Sequence, residues 1–180
     1  MTTPGPAEGI TCVAPRLGKL AWVSERLFEI EGRWAATMTA PAAVEHLATH
    51  SRHHGWHATL WRRALPDSPA LEADRLVQAP DGWVGALAAA AGADEASDPV
   101  KLAMLYRGLV PRALSLVEGL DEVVSGPGSA HITRVVGLVR PDVAADAHRG
   151  HRLLEATLGD DEAIEMAISA VKTLDQSFLA

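Results

Sequence analysis

The sequence predicts an all-α protein, an up-down bundle of four long helices with a short connecting helix and a C-terminal helix. Three observations carry that reading. Apolar residues recur with the helical period of about 3.6 over long stretches, which builds one apolar face per stretch. No segment alternates or clusters β-branched residues in the manner of a strand. Helix starts are written where the periodic stretches begin, as in Ser97-Asp98-Pro99, with Asp98 as the expected N-cap and Pro99 at the first helical position.

Taken in order, residues 1–16 are rich in Pro, Gly and Thr and read as a flexible arm ahead of a single helical domain over 17–180. The first helix runs from Leu17 to Met38, with Leu20, Val23, Leu27, Ile30 and Trp34 on its core side. Ser24 and Glu31 intrude on that apolar side. Thr39-Ala40-Pro41 ends this helix and starts the next, and so short a connection makes the two antiparallel neighbours. The second helix covers Ala43 to Leu65 and is closed by Pro66-Asp67-Ser68-Pro69. A short helix through Leu76 and another around Trp83 to Ala91 carry the chain back along the bundle. The third long helix, from Asp98 to about Val124, turns Leu102, Leu105, Tyr106, Leu109 and Val117 inward and is expected to kink at Pro111. Residues 125–129 form a turn. The fourth helix, to about Leu158, has a core stripe through Ile132, Val136, Val139, Val143 and Leu154 and is interrupted at Pro141. Gly159 and Asp160 stop it and cap a fifth, in which Ile164, Ile168, Val171 and Leu174 make a stripe.

Composition sets the class of partner. With 180 residues and 48% apolar content the chain can bury a real core and is not a disordered segment. A net charge of −7 argues against nucleic acid or an anionic membrane as the main partner. No apolar run reaches the length of a membrane span. The start, MTTPGPAEG, has neither a basic nor an apolar region of an export signal. The lone Cys12 cannot close an internal disulfide and falls in the expected arm. These features point to a cytoplasmic protein that takes a small-molecule substrate, with a homodimer among the arrangements left open.

The chemistry is concentrated in the second helix. AVEHLATHSRHHGWHATLWRRAL carries five of the eight histidines: His46, His50, His53, His54 and His57. At 100° per residue all five fall within an arc of roughly 100° that also holds Trp61. That is the face a bundle buries, and a buried polar group without a partner costs about 1–3 kcal/mol. The imidazoles therefore need acceptors from other helices, water or a metal. His50, His54 and His57, at i, i+4 and i+7, with Glu31 and Asp146 opposite, form the candidate ligand set. Imidazole-rich sites suit iron, zinc, copper or nickel, not magnesium or calcium. Each ligating imidazole also needs an acceptor for its second nitrogen, a role open to Glu31, Asp146, Ser24 and Tyr106. His54, His57 and Tyr106 are the candidates for catalysis. Two further readings stay open: a metal-free network with one histidine as general base, and a purely structural or subunit-contact cluster. Glu118 lies beside the third helix's stripe, while His131, His148 and His151 are placed at the surface.

The helix order, the long connection between the second and third helices and the histidine-rich second helix resemble the ferritin-like superfamily. That resemblance implies a non-heme metal-dependent oxidoreductase acting on dioxygen or a small organic substrate, with iron as the metal and zinc, manganese or copper as alternatives. Diiron members of that family show Glu on the first and third helices and Glu-x-x-His on the second and fourth. Here Glu31 matches the first carboxylate in kind, no Glu-x-x-His occurs, and histidines stand in place of the second-helix Glu.

Overall fold

The computed structural model describes residues 10–67, 72–124 and 129–179. All regular structure among them is helical: α1 (Ile10–Ala35), α2 (Pro41–Ala64), α3 (Ala73–Leu76), α4 (Trp83–Ala91), α5 (Asp98–Ala103), a π-helical turn (Met104–Leu109), α6 (Val110–Val123), α7 (Ala130–Thr157) and α8 (Asp161–Leu179). Of the segments read from sequence, residues 1–9 of the arm, Ser68-Pro69 and most of the 125–129 turn lie outside the described residues.

The helices form a bundle whose layout follows from their apolar stripes. α1 packs along α2, α2 against α7, α7 against α6, and α6 against α1, so these four enclose a common interior. Leu27, Trp34, Leu47, Trp61, Leu109, Leu120, Ile132 and Val143 are buried there. α8 packs across α4, α5 and the π turn. The α1–α2 connection is fixed from outside: the Asp98 carboxylate accepts hydrogen bonds from the Thr39 and Ala40 backbone N–H groups and from Thr39 Oγ1 at 2.8–3.2 Å. Lys101, itself buried, donates to Thr37 Oγ1 at 2.9 Å. No helix among the described residues is long and apolar enough to cross a membrane.

The structure departs from the sequence reading, or adds to it, at five points. α1 begins at Ile10, so residues 10–16 are helix, because Val13 and Ala14 find buried partners that extend the apolar stripe. Cys12 is therefore an exposed helical residue. Ser97, not Asp98, occupies the N-cap of α5, since the Asp98 carboxylate is committed to the α1–α2 connection. Pro111 is accommodated by the π turn just before it: the ring would crowd the Arg107 carbonyl, and widening the turn relieves that contact, with Val110 N–H bonding Leu105 O. α7 runs unbroken through Pro141, which lies on the exposed side where water can serve the freed carbonyl of Gly137. Finally, of the four stripe residues of α8 only Leu174 is buried; Ile164 and Ile168 are 38% and 49% exposed, and no helix among the described residues covers that part of α8.

Candidate metal centre

α2 starts with Pro41 in its first turn and buries Ala43, Leu47, His50, Ser51, His54, His57, Ala58, Trp61 and Ala64. Three of the five histidines thus belong to the same stripe as the apolar anchors that hold the helix. Their level against α1 is set locally: Ser51 Oγ donates to Phe28 O at 2.9 Å, one turn before Glu31. Glu31 is fully buried and faces the imidazoles.

The three side chains converge. Glu31 Oε1 lies 3.2 Å from His50 Nδ1 and 3.6 Å from His54 Nε2. One ligand atom from each of Glu31, His50 and His54 lies within 4.8 Å of the others. Ligands at about 2.0–2.2 Å from one ion, spread at tetrahedral or octahedral angles, stand roughly 2.8–3.6 Å apart. The two carboxylate–imidazole separations, 3.2 and 3.6 Å, match those polyhedron edges.

A second tier lies outside this triad. His53 Nδ1 meets Asp146 Oδ2 at 2.6 Å, and the buried Asp146 also stands 3.7 Å from His50 Nε2. His57 Nε2 lies 3.4 Å from Asp142 Oδ2, so His57 sits beside the triad with a carboxylate of its own, its ring edge-on to that of His54. Asp146 likewise stands behind His50 and is not one of the three converging groups. Tyr106, carried into the interior by the π turn, places its Oη 3.0 Å from His50 Nδ1. Gly150 of α7 touches the Tyr106 ring, leaving no room for a Cβ. His46 is half-buried, with its ring over Tyr106. Ser24 is buried two turns before Glu31. Glu118, His131 and His148 are exposed, whereas His151 is half-buried near Tyr106.

Unmet hydrogen bonding is densest at the triad, although His46 Nε2, His57 Nδ1 and His151 Nδ1 nearby are also buried without a partner among the described residues. Both Glu31 oxygens, both His54 nitrogens and His50 Nε2 are buried without a hydrogen-bond partner among the described residues. Burial, and secondarily the Asp146 charge, pushes the Glu31 carboxyl well above the usual carboxylate range. Burial also drives His50 and His54 well below the ordinary imidazole value, with the neighbouring histidines adding to the effect. Tyr106 is raised by burial and by Glu31 and Asp146. His57 is lowered by burial, which its Asp142 contact partly opposes. Burial therefore favours the neutral form of the acid and of both imidazoles. A bound cation reverses the balance for Glu31 and uses the lone pairs that burial keeps free on the imidazoles.

Sequence reasoning left His53 and Asp142 out of the site. Their signal was present as matched spacing: His53 and His57 are i, i+4 on α2, and Asp142 and Asp146 are i, i+4 on α7, which places each pair on one helical face. No family model matches the chain, and neither a curated protein nor a solved structure is similar to it.

Proposed function

We propose that Glu31, His50 and His54 hold a divalent transition metal, and that the protein is a metal-dependent oxidoreductase acting on dioxygen or a small organic substrate inside the bundle. The observation that carries this reading is the buried Glu31 carboxylate, unpartnered at both oxygens and within 3.6 Å of His50 Nδ1 and of His54 Nε2, the latter on an imidazole with both nitrogens unpartnered. A polar cluster of this kind costs stability unless something completes it. Two histidines and one carboxylate are the ligand set of non-heme iron(II) oxygenases, which leave positions open for reactants. The ring of four long helices and the helix order support a ferritin-like bundle, with the catalytic histidine positions replacing the family's Glu-x-x-His pairs.

Iron bound there supplies the dioxygen and electron-transfer chemistry that none of these side chains provides. The chain's own residues set the conditions. Glu31 contributes the compensating charge, and His50 and His54 contribute neutral lone pairs. Asp146 stands where it can accept the proton on His50 Nε2, the outer-shell role that fixes a ligating imidazole. Tyr106, kept protonated by its surroundings, has a hydroxyl able to donate to a bound reactant once His50 Nδ1 is engaged. Leu47 and Trp61, fully buried on the same face, exclude bulk water.

The test is anaerobic titration with iron(II), followed by admission of air while oxygen uptake is recorded. The proposal expects one iron per chain and oxygen uptake faster than that of free iron, both lost in Glu31→Gln. Iron bound without accelerated uptake removes the oxidoreductase reading, and absence of binding removes the metal. One observation favours a second reading, a metal-free acid/base catalyst: His53, with its side chain 36% exposed, makes a 2.6 Å contact with Asp146. That reading predicts activity insensitive to chelators and sensitive to His53→Ala.

A further inference from the structure

The Tyr106 hydroxyl has one hydrogen-bond partner among the described residues, His50 Nδ1 at 3.0 Å. The same nitrogen meets Glu31 Oε1 at 3.2 Å, while His50 Nε2 faces the Asp146 carboxylate at 3.7 Å. With the imidazole proton on Nε2, toward Asp146, Nδ1 is the acceptor and Tyr106 the donor. An ion held between Glu31 and His50 takes the lone pair that accepts this bond. The hydroxyl then becomes a buried donor without an acceptor, an unfavourable state. It has little freedom to turn elsewhere. Tyr106 is fully buried, its ring is stacked on that of His50 at an interplanar angle of 14°, and a Cβ at Gly150 would stand 2.3 Å from its Cε1.

The oxygen also stands where a ligand would. Two ligands on one ion are roughly 2.8–3.6 Å apart, and the Tyr106 Oη–His50 Nδ1 separation of 3.0 Å falls in that range. Phenolate is a donor that iron accepts, as in haem proteins with a tyrosine axial ligand. In metal-free protein, burial and the Glu31 and Asp146 charges keep Tyr106 protonated. A trivalent ion beside the oxygen offsets them, just as bound metals deprotonate other ligands; iron(II), with less charge, leaves the O–H bond intact. We propose that Tyr106 is the fourth protein ligand when the centre holds iron(III). Its O–H bond breaks, the proton passes to solvent water and the phenolate oxygen binds the iron, with no change of oxidation state. The π turn that carries Tyr106 inward is then part of the centre, and π turns recur at functional sites. This inference rests on the Glu31, His50 and His54 centre and adds to it an oxygen donor that favours iron(III) over divalent ions.

Tyr106 is the only tyrosine in the chain, so a phenolate signal from the protein has one source. Metal-free protein is mixed with iron(III) nitrilotriacetate and freed of excess chelate, and its iron is counted by elemental analysis. Visible absorption and resonance Raman spectra follow. The expected result is one iron per chain with a phenolate-to-iron(III) charge-transfer band, whose Raman ring modes shift when the protein is made with ring-deuterated tyrosine. Tyr106→Phe keeps the ring against His50 and Gly150 and should abolish the band. It should also weaken iron(III) binding by more than about tenfold, the least cost typical of losing even an outer-shell partner, and weaken zinc(II) binding less. Iron bound in the wild type without the band removes Tyr106 from the centre and leaves Glu31, His50 and His54 standing. A band that Tyr106→Phe retains, or Raman modes unmoved by deuteration, likewise overturns the proposal. No bound iron overturns it together with the centre itself. The deuterated wild type decides the question even if Tyr106→Phe does not fold.

Discussion

His53 and His54 are consecutive residues on one helix, yet they belong to two different environments. His53 belongs to an outer tier with His57, where α7 supplies a carboxylate to each: Asp146 at 2.6 Å and Asp142 at 3.4 Å. His54 belongs to an inner tier with His50 and Glu31, fully or almost fully buried, where most polar atoms lack partners. The outer tier gives each histidine a carboxylate, although His57 Nδ1 still lacks a partner among the described residues. In the inner tier, donors and acceptors point at one another without completing their bonds. The difference teaches that burial alone does not mark a site; burial with unmet coordination capacity does.

The comparison breaks if the tiers respond alike to substitution. The largest effect is expected from His54→Ala, which removes a ligand: metal affinity should fall by more than the roughly 10–100-fold typical of losing an outer-shell partner. His57→Ala should change it less than that, and equilibrium metal competition compares the two. Asp146→Asn comes next, with about a 10–100-fold loss through His50, against a smaller loss for Asp142→Asn.

Glu31→Gln sharpens the contrast because two of its effects have opposite sign. It should abolish metal binding. In metal-free protein it should raise stability at pH 8 by about 1–3 kcal/mol, because the cost of burying an unsatisfied carboxyl group that the unfolded chain ionises disappears. The pH dependence follows from linkage. Glu31 has a raised value in the folded state, so its favourable contribution is present below the ordinary 4.5 and is lost as pH rises through the folded value. His50 and His54 have lowered values, so the unfolded chain binds more protons and stability falls as pH drops below the ordinary 6.5. Metal-free protein should therefore lose stability on both sides, and Glu31→Gln should remove only the alkaline loss; urea melts across pH read this directly. The smallest effect concerns the support of Tyr106: Gly150→Ala should cost about 1–3 kcal/mol by overpacking. Gly137→Ala, in open space on the same helix, should gain up to about 1 kcal/mol.

Much of this arrangement was legible before the coordinates. Helical periodicity places Glu31 on the core side of α1 and His50, His54 and His57 on the buried face of α2, because each helix's own phase determines which side chains share a face. The pairing of His53 with Asp146 and His57 with Asp142 was not legible, since it depends on the axial stagger of α2 against α7, which no local signal specifies. The start of α1 was missed because the Pro and Gly of the first residues outweigh Val13 and Ala14, whose burial comes from tertiary partners. α8 shows the same limit from the other side: a stripe through Ile164 and Ile168 identifies an apolar face, not whether another helix covers it.

The most direct measurement is elemental analysis of the protein produced without an affinity tag, as isolated and after reconstitution with iron, zinc, manganese and copper. One transition-metal ion per chain, retained through dialysis in wild type and His57→Ala but lost in His54→Ala and Glu31→Gln with helix content unchanged, is the predicted result. Metal at background in every reconstituted sample, or equal retention by all four proteins, contradicts a centre built from Glu31, His50 and His54.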